Sequence, residues 1–193
     1  MLVERLDTFG AELRRVFIHI RWPVQSYVVL GFLFGAVVAK IPLSGLVVEA
    51  FISWLMLVSG LTVLNSYYDK DDVQVGGMEN PPEIAISLLY GSLIMLFVSL
   101  VMAFFISHTF FYLALMVAVA YFFYSHEATR WKSNGYVAVS INALVGALTL
   151  LAAGSLGGSS LLHPALVLSA ITAAFFKASV YTMMQVHQID EDK

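Results

Sequence analysis

Acidic residues that could bind a metal ion lie in two groups. The first follows a long apolar stretch and the second closes the sequence; they contain Asp69, Asp71 and Asp72, and Asp190, Glu191 and Asp192, respectively. If an α-helix continues through the first group, Asn65, Asp69 and Asp72 share one face, within about 60° of one another. Carboxylates on one turn repel each other unless a cation lies between them, and their hard oxygens suit Mg²⁺, which commonly keeps substrate phosphate oxygens in its shell. A solvated acidic loop at a helix end explains the same residues.

A line of polar residues crosses the last apolar stretch and leads into the second acidic group. Its members recur at steps of three or four, as one helix face requires: Lys177, Tyr181, Gln185, Gln188 and Asp192. Polar groups inside a membrane span are costly and usually face a cavity. Two acidic groups, one of them below a polar line, suggest paired Mg²⁺ sites that hold a diphosphate between helices. Alternatively, Lys177 extends to the membrane interface or bonds to a neighbouring helix.

The composition indicates a membrane protein. Of the 193 residues, 60% are hydrophobic and 12% are charged, whereas globular chains have roughly 25% charged residues. The net charge of −3 gives no basic field for a polyanion, so nucleic acid is not expected as a partner. Without cysteine, disulfides, thiolate metal sites and a cysteine nucleophile are excluded.

The elements that must position the two acidic groups are helices. Residues 1–22 combine charges with apolar residues at three- or four-residue steps, which predicts an amphipathic helix at the membrane surface. Residues 23–193 form the transmembrane domain. It contains six apolar stretches near the length that crosses a bilayer, at 23–39, 43–66, 84–106, 109–125, 136–156 and 161–187. Long uninterrupted apolar runs exclude a β-barrel, so we predict an all-α membrane protein with six transmembrane helices.

The positions of Lys and Arg predict the orientation, because cytoplasmic loops collect these residues. If the N-terminus is cytoplasmic, the outer loops contain only Lys40. The inner segments then contain Arg5, Arg14, Arg15, Arg21, Lys70, Arg130, Lys132 and Lys193. Both acidic groups therefore face the cytoplasm in a multi-pass protein that lies in membrane lipid.

The first acidic group resembles an aspartate-rich motif of a known family. Asn65-Ser-Tyr-Tyr-Asp69-Lys-Asp71-Asp72 is similar to the first motif of the UbiA superfamily of intramembrane prenyltransferases, whose usual form is Asn-x-x-x-Asp-x-x-x-Asp. Val73 holds the place of the last acid, so the resemblance assigns that role to Asp71 or Asp72.

Two later segments extend the resemblance. The segment from Tyr124 to Gly135, with Arg130 and Lys132, resembles the loop after the family's fourth helix. The segment from Tyr181 to Lys193 resembles the second motif, Asp-x-x-x-Asp. If Asp192 is its last acid, Gln188 holds the place of the first, and Asp190 or Glu191 can substitute.

Family members usually have nine transmembrane helices, with the motifs after helices two and six. The resemblance thus implies that this chain is the first six helices of a nine-helix prenyltransferase bundle and stops inside the second motif. We expect it to be a fragment that is inactive alone, because one wall of the cavity is absent.

The resemblance implies Mg²⁺-dependent transfer of a prenyl group from a prenyl diphosphate to a lipophilic or aromatic acceptor. Asn65, Asp69 and Asp71 or Asp72 would hold one Mg²⁺, and Asp192 with Asp190 or Glu191 would hold the other; Asp69, Asp72 and Asp192 would be the catalytic acids. The substrates would meet Arg21, Asn65, Tyr124, Arg130, Lys132, Lys177, Tyr181 and Gln188. Anchoring at the membrane surface explains the basic residues and the tyrosines as well.

A transporter or channel is the alternative function. In that case Lys177, Glu49 and the acidic loops would line a path for an ion or a solute. The five histidines have no spacing typical of a zinc site, so a zinc hydrolase is disfavoured.

Overall fold

The computed structural model describes residues 2–70, 82–157 and 160–191, with side chains described from 9 to 183 within these ranges. The described residues are mainly helical and include no strand, which confirms the predicted all-α membrane fold. Its helices are α1 (Leu2–His19), α2 (Trp22–Val38), α3 (Gly45–Asp69), α4 (Ile86–Ile106), α5 (His108–Ser125), α6 (Gly135–Gly154) and α7 (Pro164–Glu191), with short 3₁₀ helices at Trp131–Ser133 and Ser155–Gly157.

The described helices include five, α3 to α7, that are long and apolar enough to cross a membrane. The pair Phe9–His19 and Trp22–Val38 is bent by 59° and adds a sixth span if it is counted as one broken span. The bend lies at Arg21, whose backbone is left-handed with φ 57°, at the predicted boundary between the N-terminal segment and the transmembrane domain. The observed helices follow the predicted apolar stretches, and the chain is an integral membrane protein.

Helix α3 forms the centre of the bundle. Trp54, Leu57 and Leu61 on α3 are almost completely buried. The Trp54 Nε1 donates a hydrogen bond to Thr149 Oγ1 on α6 at 3.1 Å, which satisfies the indole N–H in an apolar interior. Ser53 on α3 and Ser99 on α4 each donate to the other's carbonyl oxygen at 2.9 Å. Polar contacts of this kind join neighbouring helices where the surroundings are as apolar as lipid.

Glycines allow two pairs of helices to approach closely. A Cβ atom at Gly35 on α2 would lie 2.4 Å from the Leu150 carbonyl oxygen on α6, and one at Gly146 on α6 would lie 2.8 Å from the Ala173 carbonyl oxygen on α7. Small residues at such crossings are typical of membrane helices. Helix α6 therefore packs closely against α2 at Gly35 and against α7 at Gly146.

Candidate active site

The last turn of α3 carries two of the predicted site residues. The Asn65 Nδ2 donates a hydrogen bond to Asp69 Oδ2 at 2.7 Å, so these residues do share one face. The helix ends at Asp69, and Lys70 follows in a left-handed conformation with φ 51°. The helical angle predicted for Asp72 applies only if a helix continues beyond Asp69. Asp72 and Asp71 lie outside the described residues.

Two hydrogen bonds join this turn to the ends of neighbouring helices. The Ser125 Oγ, at the end of α5, donates to Asn65 Oδ1 at 2.9 Å. The Arg21 Nη2, just before α2, donates to Ser66 Oγ at 3.1 Å. The start of α2 and the ends of α3 and α5 therefore meet at one end of the bundle, and Arg21 lies beside the acidic turn.

The loop after α5 brings Lys132 to Asp69. Trp131 stacks on Phe123 of α5, with 5.2 Å between ring centroids. The Asn134 side chain caps α6 by accepting hydrogen bonds from the backbone N–H groups of Tyr136 and Val137. These contacts fold the loop back over the bundle. The Lys132 ammonium and the Asp69 carboxylate form an ion pair, with only 14% and 15% of the two side chains exposed. We call Arg21, Asn65, Asp69, Ser125 and Lys132 the charged end.

The electrostatics of Lys132 suit an anion. Burial and, secondarily, the Arg21 guanidinium lower the pKa of Lys132 to about 8, while the Asp69 carboxylate favours its charged form. Two cationic side chains thus lie near one described carboxylate. A ligand that brings negative charge would be held by both cations.

Arg130, the other basic residue predicted for this loop, is exposed. Its backbone is left-handed with φ 38°, and the described contacts of the charged end do not include its side chain. The neighbouring exposed pair Lys70 and Glu127 has a separation of 3.7 Å between Nζ and Oε1. A direct diphosphate contact by Arg130 stays a prediction.

Tyr124, which precedes Ser125 at the end of α5, meets Tyr181 on α7. Their hydroxyl oxygens are 3.2 Å apart, close enough for one to donate to the other, and Tyr124 is buried. This pair connects α5 to α7. Lys177, one turn before Tyr181 on α7, lies with its Nζ 5.5 Å from the centroid of the Tyr27 ring on α2.

A cavity of about 350 Å³ lies among α2, α3, α6 and α7. Its wall is mostly apolar and includes Thr62, Tyr121 and Lys177. Because Thr62 precedes Asn65 by three residues, the cavity comes within about 4.5 Å of the charged end along the axis of α3. The volume falls in the range of ligand pockets, roughly 300–1,000 Å³.

The second acidic group cannot be placed. Asp192 lies outside the described residues, and Gln188, Asp190 and Glu191 lie where the backbone of α7 is described and the side chains are not. Within the described part of the chain, no group of three His, Asp or Glu side chains could hold a metal ion. Asp69 offers one hard carboxylate, which fits Mg²⁺ because that ion is often held by one or two carboxylates and substrate phosphates.

The structure adds two residues that the sequence did not single out for this site. Ser66 accepts from Arg21, and Tyr27 faces Lys177. Ser66 directly follows Asn65, so the sequence could have indicated that it lies in the same turn as the site. Tyr27 lies in a different apolar stretch from Lys177, and no spacing connects the two.

Comparison with known proteins identifies no relative: no family model, no curated protein and no solved structure matches this chain.

Proposed function

We propose that this protein belongs to the UbiA-type prenyltransferases and transfers a prenyl group from a prenyl diphosphate to a lipophilic or aromatic acceptor. The observation that carries the proposal is the charged end, with Asp69, Lys132 and Arg21, directly beside an apolar cavity inside the bundle. A prenyl diphosphate has the same division into a highly charged head and an apolar tail.

The charged end would bind the diphosphate. Lys132 and Arg21 would donate to its oxygens, because charge-assisted hydrogen bonds to phosphate are among the strongest in proteins. Lys132 pairs with Asp69; on binding a diphosphate it would exchange that carboxylate for phosphate oxygens. Asn65, fixed by Ser125, would then keep the freed carboxylate of Asp69 in place.

The freed carboxylate is the group that would hold Mg²⁺, together with Asp71 or Asp72, while Asp192 with Asp190 or Glu191 would hold a second ion. When bound, Mg²⁺ would neutralise the charge that develops on the departing diphosphate. A metal role for Asn65 would use the second lone pair of its amide oxygen, because the first accepts from Ser125.

The reaction itself breaks the allylic carbon–oxygen bond and forms a bond from that carbon to the acceptor, which loses a proton. The cavity would hold the prenyl tail away from water. Tyr124 and Tyr181, between the charged end and Lys177, would offer ring faces to the developing allylic cation. The lysine and arginine distribution supports a cytoplasmic location for this end.

Mg²⁺-dependent binding of a prenyl thiodiphosphate, which resists ionisation, tests the proposal on the purified chain. Asp69→Asn should weaken this binding more than tenfold, because it removes the carboxylate charge. Glu127→Gln is the matched control, since Glu127 is an exposed acid nearby that pairs only with Lys70 among the described residues. Equal loss in both variants, or binding that EDTA does not affect, would count against the site.

Turnover needs a second measurement. Transfer of a radiolabelled prenyl group is that measurement, with Asp69→Asn as the inactive variant. Retained turnover in that variant would remove Asp69 from the mechanism.

The transporter alternative has less support in the described residues. Glu49 is exposed near the start of α3 and is not part of the wall of the cavity that Lys177 lines. Ion flux through liposomes that contain the protein, without metal-dependent diphosphate binding, would favour the alternative.

A further inference from the structure

Lys177 is a charged residue inside a membrane span with little to compensate its charge. It lies midway along α7 and on the wall of the cavity. Its partner among the described residues is the face of the Tyr27 ring, 5.5 Å from Nζ, and no carboxylate in the described ranges pairs with it. A cation at such a depth is costly unless an anion or a polar cavity compensates it. Among the described residues, therefore, no negative charge compensates the Lys177 ammonium.

The three threonines of the cavity wall have their protons engaged. Thr62, Thr149 and Thr172 each donate to a carbonyl oxygen of their own helix. Lys177 is thus the charged donor of the described wall, and it can neutralise one negative charge.

The rest of the cavity suits an apolar chain. Leu30 and Phe34 on α2 and Phe176 on α7 line it and are also exposed on the outside of the bundle. Tyr27 and Phe176 touch across the same gap, with ring centroids 6.1 Å apart. The cavity therefore reaches the lipid-facing surface between α2 and α7, from which an amphiphile could enter.

We propose that this cavity binds a single-chain amphiphile with one carboxylate, which pairs with the Lys177 ammonium while the chain extends between α2 and α7. A phosphate group would bring more charge and more acceptor oxygens than one lysine satisfies, whereas a carboxylate matches a single ammonium. Aromatic rings beside the ammonium leave room for this pairing, because a cation over a ring face keeps its other N–H donors available.

This proposal does not rest on prenyl transfer, since the site uses neither the charged end nor a metal. Its test therefore contains no Mg²⁺ and no diphosphate, and its failure would leave the proposed function intact.

Equilibrium binding of 11-dansylaminoundecanoic acid to the purified protein in detergent is the test, with the corresponding dansyl alcohol as the neutral probe. The unchanged protein should bind the acid about tenfold or more tightly than the alcohol, as expected of a charge-assisted contact. Lys177→Met should remove this preference and leave alcohol binding unchanged. Lys177→Arg should keep it.

Lys40→Met is the matched control, because Lys40 is exposed just beyond the C-terminal end of α2. This variant should retain the full preference for the acid over the alcohol. If Lys177→Met does not fold, the relative affinities for acid and alcohol of the unchanged protein and of Lys177→Arg still test the proposal. Equal affinity for acid and alcohol would overturn the proposal, as would a preference that survives in Lys177→Met. Tighter binding of dodecyl phosphate than of dodecanoate would overturn the assignment to a carboxylate.

Discussion

Replacing Gly35 with alanine should force α2 away from α6. The new Cβ would lie 2.4 Å from the Leu150 carbonyl oxygen and 3.0 Å from the Ala153 Cβ. Real Cβ atoms essentially never approach another heavy atom within 3.0 Å. The oxygen belongs to the backbone of a buried helix, so no side-chain rotation can relieve the contact. Gly31, one turn earlier on α2, differs: its Cβ would meet only the Thr149 Cγ2 at 3.4 Å, an ordinary contact.

Comparison of the two glycine variants isolates the free-energy cost of overpacking at Gly35. Both substitutions gain about 1 kcal/mol of helix propensity, since alanine is the better helix former. Overpacking that forces backbone shifts costs about 1–3 kcal/mol, and it applies to Gly35→Ala alone. We therefore expect Gly31→Ala to be neutral or more stable, and Gly35→Ala to be less stable than Gly31→Ala by about 1–3 kcal/mol.

Unfolding of the purified protein in mixed micelles, driven by a denaturing detergent and followed by circular dichroism, measures the difference. A second probe, tryptophan fluorescence, checks that a single transition is observed. Equal free energies of unfolding for the two variants would refute the close approach of α2 and α6 at Gly35.

Three further predictions concern single interactions. Lys70→Gly should raise the free energy of unfolding by about 0.5–1 kcal/mol, because glycine adopts φ 51° without strain and the exposed pair with Glu127 contributes little. Lys70→Ala should give no gain, and a gain from alanine would contradict the argument from backbone strain. Ser53→Ala and Ser99→Ala should each cost about 0.6 kcal/mol in the same unfolding experiment, since each removes one interhelical hydrogen bond; no change in either would disprove the pairing. Binding of a prenyl thiodiphosphate should weaken by up to about tenfold per pH unit above the Lys132 pKa of about 8, because binding then requires uptake of a proton. The affinity of Lys132→Arg, measured over the same pH range, should stay constant. An identical slope in that variant would exclude Lys132 as the titrating group.

The helices could be predicted from hydropathy because membrane spans need long apolar runs. Their ends could not. The apolar stretch predicted at 43–66 becomes α3, which continues to Asp69. The extra residues are polar, and they stay helical where Asn65 bonds to Asp69 and Ser66 bonds to Arg21. Hydropathy records none of these contacts, although they create the shared face of the site.

The face predicted for Asp72 depends on how far the helix continues, and Asp72 lies outside the described residues. A helical angle applies only while the helix lasts, and Lys70 leaves the helix in a left-handed conformation. Lysine is not a residue that signals such a turn in sequence, since glycine or asparagine usually occupies it. The spacing of the acids alone therefore does not indicate where the helix ends.

The side-chain contacts between different helices could not be predicted from the sequence. The pairing of Lys132 with Asp69 depends on a loop held by the stacking of Trp131 on Phe123, and no periodicity links the loop to α3. The same is true of Tyr27 and Lys177, which α2 and α7 bring together. Motif spacing identified three of these four polar residues and left their partners undetermined.

The arrangement of charge along the bundle joins the two proposals. Three cations lie beside or above one cavity: Arg21 and Lys132 at the charged end, and Lys177 about one turn beyond the Tyr124–Tyr181 pair. An amphiphile headed by a diphosphate would be held at the first position with its tail in the cavity, and a monocarboxylate would be held at the second with its chain in the same space. A cavity of about 350 Å³ has room for one apolar chain of moderate length, so the two ligands would exclude each other. Binding of a carboxylate at Lys177 would then oppose the binding of a prenyl diphosphate, through shared volume and without any change in the fold.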